Sequence, residues 1–296
     1  NNKLNIVKLN NNYDKIISVQ ETNPSYILKN KLNYDNKKIM VALVDTGINY
    51  NLEVFQKSIA VDINGEIIGY DYWENDKYPF DSDPRINPFF PRSHGSTIFS
   101  VISSEAPNAK IAIYRFPAND MCKFSDLLNE INKNSIKLIN LSMGSKKLED
   151  WQCFISTLKK YENLLVFVSA GNDGKNIDKE PIYPASLKLP NIIVVSSSDN
   201  RGRLGRGSNY GKESVDFLIP AEQLEVIDHR GVRSSTGGTS YAVPRLLSMA
   251  ARFLKNHPNA DTKDIISALI KRAIPKGIEN VKYGWIPDPT DNYGLE

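Results

Sequence analysis

Short, uniformly apolar runs recur along the chain from about residue 39 onwards. They occupy residues 39–44, 111–114, 138–141, 164–168, 192–195 and 217–219. Runs of this length without polar alternation are typical of strands that are buried on both faces, as in a parallel sheet. The pattern therefore predicts a central, mostly parallel sheet.

Between these runs lie segments in which apolar residues recur at helical spacing. Residues 124–131 and 151–158 each place four apolar side chains on one helical face. Two longer helices are predicted near the C-terminus, over residues 240–257 and about 262–273. Because strands and helices alternate, the chain is expected to form right-handed crossovers and a sheet covered by helices. The predicted fold class is α/β.

The first 36 residues differ from the rest, since Asn and Lys dominate them. They predict an irregular N-terminal extension (1–36) that precedes a single domain (37–296). The whole chain has 296 residues, of which 41% are hydrophobic and 24% charged, the usual balance of a globular protein. A net charge of +3 does not favour a nucleic-acid partner. No apolar run reaches the ~18 residues that a membrane span needs.

The two cysteines, Cys122 and Cys153, are too few for a disulfide framework or a four-cysteine zinc site. One bridge between them is compatible with the sequence. Free or buried thiols are the expectation, because an isolated cysteine usually packs as a small apolar side chain.

Three candidate catalytic side chains lie at the ends of predicted elements. Asp45 directly follows the run 39–44, His94 opens a helix, and Ser240 opens the helix 240–257. An imidazole can take the proton of a serine hydroxyl, and a carboxylate can orient and stabilise that imidazole. Each residue also has a plainer interpretation, in which Asp45 belongs to a turn and Ser240 caps a helix.

The combination of motifs is more specific than its parts. In chain order they are Asp45-Thr46-Gly47, His94-Gly95-Ser96, Asn140-Leu141-Ser142-Met143-Gly144, Ala170-Gly171-Asn172 and Gly238-Thr239-Ser240-Tyr241-Ala242-Val243-Pro244. This set resembles the ordered motifs of the subtilisin-like serine proteases (subtilases, peptidase family S8) from about residue 38 to the C-terminus. The resemblance implies a three-layer αβα sandwich and a serine endopeptidase that works through an acyl-enzyme.

The resemblance also implies a role for each motif residue. Ser240 would be the nucleophile, His94 the general base and then acid, and Asp45 the residue that orients His94. Asn172 would donate to the oxyanion of the tetrahedral intermediate, together with the backbone N–H of Ser240.

The resemblance implies two segments that bind the substrate. Ser142, Met143 and Gly144 would form the edge on which the substrate backbone pairs as an added strand, and Ser169, Ala170 and Gly171 the opposite wall of the S1 pocket. The base of the pocket would lie near residues 182–184. A carboxylate from Asp178 or Glu180 at this base would favour a basic P1 residue, whereas the alternative is that both acids are solvated loop residues.

Three departures from the family pattern matter. Ser96 replaces the usual Thr, which keeps a hydroxyl. The segment between His94 and Ala106 is too short for the loop that often binds structural calcium, so no cofactor is expected. Asp62 or the acidic stretch 71–83 could bind a cation instead, although a solvated acidic loop is the favoured interpretation. The short segment 117–123 leaves the S4 side of the cleft in doubt.

The expected partners are a protein or peptide substrate and the chain's own N-terminal pro-segment. Residues 1–36 are either a remnant of that pro-segment or the start of the mature enzyme. A monomer is expected, and a secreted or cell-surface location is slightly favoured over the cytoplasm.

A selective processing protease, such as a leader peptidase, is one specific hypothesis for the function. An α/β-hydrolase esterase is excluded, because Ala242 stands where its motif needs glycine. A catalytically silent, protease-like binding module remains the alternative.

Overall fold

The computed structural model describes residues 5–21, 23–26, 35, 38–83, 91–116 and 120–295. Its strands are β1 (Asn5–Leu9), β2 (Ile16–Glu21), β3 (Met40–Asp45), β4 (Gly69–Asp71), β5 (Lys110–Arg115), β6 (Leu138–Leu141), β7 (Leu165–Ser169), β8 (Ile192–Ser198), β9 (Phe217–Pro220), β10 (Leu224–Ile227), β11 (Arg233–Thr236) and β12 (Gly284–Trp285). Its helices are α1 (Glu53–Gln56), α2 (Gly95–Glu105), α3 (Lys123–Lys133), α4 (Gln152–Leu158), α5 (Thr239–Asn256) and α6 (Thr262–Arg272), with a 3₁₀ turn at Leu148–Trp151.

Eight strands form one parallel sheet, in the order β12-β9-β8-β7-β6-β3-β5-β4. Successive side chains of a strand point to opposite faces, so each strand supplies both sides of the sheet. In β3, Val41 and Leu43 join the core that contains α2 and α5, whereas Ala42 and Val44 join the core that contains α3 and α4. The predicted three-layer sandwich with a parallel sheet is therefore confirmed.

All six predicted strands and all the predicted helices form within a few residues of the expected bounds. Three strands of the chain's second half, β10, β11 and β12, were not predicted, and neither was β4. Strand β4 consists of Gly69, Tyr70 and Asp71, so it has no apolar run that could mark it. It pairs with β5 at the edge of the sheet.

The expectation of an irregular N-terminal extension is wrong for β1 and β2, which pair as an antiparallel hairpin. Residues 23–26 then lie against the domain. The ring of Tyr26 packs on that of Tyr50 with centroids 4.5 Å apart, and the hydroxyl of Tyr50 donates to the carbonyl of Pro24. The boundary expected at residues 36 and 37 lies outside the described residues.

The expectation of free thiols is also wrong, because Cys122 and Cys153 form a disulfide with their Cα atoms 4.9 Å apart. Cys122 lies directly before α3, and Cys153 lies in the first turn of α4. The two helices pack together through Phe124 and Phe154, whose ring centroids are 5.3 Å apart. This packing brings the cysteines together across 31 positions of sequence, which no local pattern indicates.

The acidic stretch is not a solvated loop throughout, since Asp71 and Asp81 are buried. The carboxylate of Asp71 pairs with the guanidinium of Arg115 at 2.6 Å, and both side chains are almost fully buried. Arg115 also donates to the carbonyl of Ser82 at 2.9 Å. Asn23 donates to Asp71 at 2.8 Å. This cluster joins the ends of β4 and β5 to the N-terminal segment.

Among the described helices, none has the length and hydropathy to cross a membrane.

Candidate active site

Asp45 and His94 are hydrogen-bonded to each other at the carboxyl end of the sheet. Asp45 is the last residue of β3 and His94 directly precedes α2. Asp45 Oδ1 lies 2.7 Å from His94 Nδ1, and the side chains are 3% and 29% exposed, respectively. The bond to Nδ1 leaves Nε2 of the same ring available for a proton from another group.

Two opposing influences act on the pKa of His94. Burial is the largest single effect and lowers the pKa, because it disfavours the charged imidazolium. The negative charge and hydrogen bond of Asp45, with a contribution from Asp81, outweigh it and raise the pKa above its usual value. The imidazolium is therefore stabilised at the position where a general base would have to carry a proton.

Glycine after His94 is required by close packing. A β-carbon on Gly95 would lie 2.0 Å from the carbonyl oxygen of Gly47 and 3.2 Å from the Asp45 β-carbon. Gly47 has a φ of 93°, a backbone conformation that favours glycine. These two glycines allow the loop after β3 and the start of α2 to touch, which brings Asp45 and His94 within hydrogen-bond distance.

Asp81 and Thr46 hold the start of α2, a role that the sequence analysis missed. Asp81 accepts hydrogen bonds from the backbone N–H groups of His94 (3.1 Å) and Ser96 (2.8 Å). The Thr46 hydroxyl donates to Asp81 at 2.6 Å and accepts the N–H of Gly95 at 2.8 Å. These bonds satisfy helix N-terminal donors that have no partner within the helix. Burial raises the pKa of the Asp81 carboxyl.

Ser240 is the second residue of α5, after Gly238, which has a φ of 120° and precedes the helix. Pro244 lies inside the helix and has no N–H to donate to the Ser240 carbonyl. The hydroxyl of Ser142 donates to that carbonyl instead, at 3.2 Å. Ser142 therefore links the predicted substrate-binding segment directly to the backbone of the predicted nucleophile.

The side chain of Asn172 is held in one orientation by Thr239. Its Oδ1 accepts the backbone N–H of Thr239 at 3.0 Å and the Thr239 hydroxyl at 3.1 Å. With Oδ1 engaged in this way, the Nδ2 group is the free end of the amide. The N–H of Ser240, the next residue, belongs to the first turn of α5 and has no acceptor within the helix. The two donors of the predicted oxyanion hole thus lie on adjacent, mutually fixed groups.

The residue after the serine connects α5 to the His94 region. The ring of Tyr241 lies 5.8 Å from that of His94 between centroids, and its hydroxyl is 3.3 Å from the Thr97 hydroxyl. The Ser240 hydroxyl itself makes no hydrogen bond to another residue in the described part of the chain. Hydrogen bonds of this kind are often long or unformed until a substrate is bound, so the arrangement is compatible with the predicted role.

The two predicted walls of the S1 pocket lie next to Asn172 and Ser240. Ser142, Met143 and Gly144 follow β6, whereas Ser169, Ala170 and Gly171 lie at the end of β7. The second wall is held by Asn209, which is fully buried. Asn209 donates through Nδ2 to the carbonyl of Ala170 at 2.9 Å, and its backbone N–H donates to the carbonyl of Gly171 at 2.9 Å. The sequence analysis missed this residue as well.

Both acids that were considered for the base of the pocket are engaged elsewhere. The carboxylate of Asp178 accepts the backbone N–H groups of Glu213 (3.1 Å) and Ser214 (2.9 Å). Glu180 is exposed and pairs with Lys175. The structure thus uses Asp178 to hold the loop around residue 213.

The described residues contain no cluster of three or more His, Cys, Asp or Glu side chains that could hold a metal ion. Asp71 and Asp81, the buried acids of the stretch 71–83, are bound by Arg115 and by the start of α2, respectively. Asp62 accepts backbone N–H groups within its own turn. These carboxylates serve structural contacts, so the stretch offers no support for the cation hypothesis.

The arrangement combines a serine at a helix N-terminus, an imidazole whose cationic form is stabilised, and an amide fixed by the residue before that serine. These are the groups that acyl transfer at a carbonyl carbon requires, because each charge that develops there needs a group of opposite polarity. The site is therefore compatible with acyl transfer.

Comparison with known proteins agrees with this chemistry. A model of the Subtilase family matches residues 36–285. Subtilisin-like protease 2 of Plasmodium falciparum (isolate 3D7) is 27% identical over 242 residues, which is 74% of this chain and 17% of that protein. The epidermin leader peptide-processing serine protease of Staphylococcus epidermidis is 24% identical over 318 residues, covering 86% of this chain and 67% of that protein. A solved lanthipeptide protease superposes with a TM-score of 0.68 at 20% identity and covers 88% of each chain.

Proposed function

Since the chain belongs to the subtilase family, we propose that it is a serine protease of the subtilisin type with Asp45, His94 and Ser240 as its catalytic triad. The observation that carries this proposal is the 2.7 Å hydrogen bond between Asp45 Oδ1 and His94 Nδ1. It gives the imidazole the orientation and the tautomer that leave Nε2 free to accept a proton.

In the proposed first step, Ser240 Oγ attacks the carbonyl carbon of the scissile peptide bond and His94 Nε2 takes the hydroxyl proton. Asp45 stabilises the resulting imidazolium. The carbonyl oxygen becomes an oxyanion, which accepts hydrogen bonds from Asn172 Nδ2 and the Ser240 N–H. The C–N bond then breaks, and His94 returns its proton to the departing amine.

In the second step, water attacks the ester carbonyl of the acyl-enzyme. His94 accepts a proton from this water, and the same two donors stabilise the second oxyanion. The bond from the acyl carbon to Ser240 Oγ breaks as His94 protonates the serine. The carboxylic acid product leaves, and Ser240 and His94 return to their starting protonation states.

The proposed substrate is a peptide segment that binds in an extended conformation along residues 142–144. A strand added to this edge would place its carbonyl beside Ser240, because the Ser142 hydroxyl already contacts the Ser240 carbonyl. The likeness to a leader peptide-processing protease and to a lanthipeptide protease supports selective processing of a precursor peptide as the specific role.

The proposal is tested by labelling with a fluorophosphonate and by peptide cleavage. Wild type is expected to gain one adduct, located at Ser240 by mass spectrometry, and to cleave peptides, whereas Ser240→Ala does neither. Asn172→Ala is expected to retain the adduct, while kcat falls by about 10²–10³, the effect known for removal of one such donor in subtilisin. Absence of an adduct in folded wild type would contradict the proposed triad.

A further inference from the structure

The side chain of Ile182 lies close to both predicted walls of the S1 pocket. A β-carbon placed on Gly144, in the first wall, would lie 3.3 Å from Ile182 Cγ2. A β-carbon placed on Gly171, in the second wall, would lie 3.6 Å from Ile182 Cδ1. The Ile182 side chain therefore lies near both glycines, on the side to which their β-carbons would point. Ile182 is only 9% exposed, so its neighbours already cover nearly all of it.

Backbone hydrogen bonds hold Ile182 in this position. Its N–H donates to the Ser186 hydroxyl at 3.1 Å, and its carbonyl accepts the N–H of Ser186 at 2.8 Å. The next residue, Tyr183, exchanges both of its backbone hydrogen bonds with Ser145, each at 2.8 Å. Isoleucine is branched at Cβ and is restricted in χ1, so the side chain has little freedom to turn away.

The Ile182 side chain carries no charge, and the polar atoms nearest to the two glycines, the Tyr183 carbonyl oxygen and Asn209 Nδ2, are not carboxylates. Asp178 and Glu180, which lie on the same loop, are bound to the loop around residue 213 and to Lys175, respectively. Ile182 packs in the core cluster that also contains Ala170 and the partly buried Met143. A cationic P1 side chain entering here would lose its hydration without meeting a carboxylate, which is costly.

We propose that Ile182 makes the S1 pocket shallow, so that the enzyme cleaves after residues with small side chains such as glycine, alanine or serine. This inference rests on the proposed function, since it assigns the specificity of that same site. A P1 side chain that extends beyond its β-carbon would overlap the Ile182 methyl groups. Crowding in a packed region is costly because the neighbours cannot all adjust.

The test is a set of peptides that differ only at P1, with Ala, Ser, Leu, Phe and Arg compared. Values of kcat/KM are corrected for the fraction of Ser240 that a fluorophosphonate labels. Wild type is expected to favour Ala and Ser over Leu, Phe and Arg by at least about tenfold. Ile182→Gly is expected to raise kcat/KM for Phe relative to Ala by at least about tenfold, with Ile182→Ala in between.

Leu187→Ala is the matched control, because it truncates an apolar residue of the same loop that does not lie between the two walls. It is expected to leave the P1 preference unchanged. If Ile182→Gly does not fold, Ile182→Ala and the wild-type preference still decide the question. Labelled wild type that cleaves after Phe or Arg as well as after Ala would overturn this inference alone. Loss of labelling in folded wild type would overturn the proposed function, and this inference with it.

Discussion

At the scale of single residues, the charge state of His94 sets the pH range in which the proposed mechanism can operate. In that mechanism the imidazole must be neutral to accept the proton of Ser240, and it is protonated below its pKa. Burial lowers this pKa, but Asp45 and Asp81 together raise it above the usual histidine value of 6.5. Activity should therefore fall as the pH is lowered through a pKa that lies above 6.5.

Replacing Asp81 by Asn tests this balance, because it removes one of the negative charges that raise the pKa of His94. The acid limb of kcat/KM is expected to move to lower pH, and the maximal rate to fall, since Asp81 also holds the backbone N–H groups of His94 and Ser96. The measurement is kcat/KM between pH 5 and 9, a range that brackets the ordinary histidine pKa.

Asp216→Asn provides the control for that experiment. Asp216 is another buried carboxyl, whose pKa is raised to about 6 by burial, and it accepts the backbone N–H of Val194 away from the site. Its replacement is expected to leave the acid limb in place. An acid limb that moves with Asp216 and not with Asp81 would contradict the assignment to His94.

The parts of the site that could be predicted from sequence are those whose signal is local. Asp45, His94, Asn172 and Ser240 each stand in a short motif at the end of an element. Asp81 lies well before His94, and no nearby pattern distinguishes it from the other acids of its loop. Its role depends on tertiary contacts, because the carboxylate binds N–H groups that only the folded chain brings to it.

At the scale of elements, the disulfide between Cys122 and Cys153 fixes α3 against α4. These helices pack on the face of the sheet opposite to α2 and α5. A cross-link reduces the freedom of the unfolded chain, and the effect grows with the number of residues between the cysteines, here a separation of 31. Disulfides persist mainly in oxidising compartments, and we infer such a setting for this enzyme.

The double variant Cys122→Ser/Cys153→Ser is expected to lose about 2–4 kcal/mol of unfolding free energy. Urea unfolding in the absence of reductant measures this loss. A dithiol reductant should destabilise wild type by a similar amount. It should leave the stability of the double variant unchanged, so the double variant is the control for effects of the reductant other than disulfide reduction. Equal stability of wild type and variant without reductant would show that the cross-link contributes nothing.

Elements with a continuous apolar run or a helical stripe were predictable, whereas β4 and the disulfide were not. Three residues at the edge of the sheet carry too little pattern, and β4 is recognised only because β5 lies beside it. The cysteine pair likewise depends on the packing of α3 on α4, which periodicity along one helix does not reveal. The position of the Ile182 side chain was likewise not predictable, since its direction follows from the course of its loop.

At the scale of the whole molecule, Arg115 connects parts that are distant along the chain. It contacts Asp71 at the end of β4, Ser82 in the segment that leads to His94, and Asn23 near the N-terminus. Arg115 and Asp71 are 2% and 0% exposed at their side chains, and the Glu74 side chain, 6% exposed, adds a second carboxylate 3.4 Å from Arg115 Nη1, so both acids depend on the guanidinium for compensation. Removing one partner of a buried ion pair leaves an uncompensated charge.

Arg115→Met is expected to lower the free energy of unfolding by about 3–5 kcal/mol, because the Asp71 and Glu74 side chains both stay buried without their cation. Arg115→Met combined with Asp71→Asn should cost less than the sum of the two single changes, as the pair is then removed together. Urea unfolding of the four proteins gives this coupling. Lys188→Ala, which breaks a solvent-exposed pair with Glu213, should change little. Additive costs for Arg115 and Asp71 would contradict the proposed pairing.

The hydrogen bond from the Ser142 hydroxyl to the Ser240 carbonyl directly connects the proposed substrate-binding edge to the backbone of the proposed nucleophile. Pro244 creates the need for this bond by withholding the N–H that a regular helix would supply. We expect a peptide bound along residues 142–144 to act through this bond on the backbone of the proposed nucleophile, so that its residues far from the scissile bond contribute to the turnover number as well as to affinity. Lengthening a substrate is then a means of accelerating the enzyme.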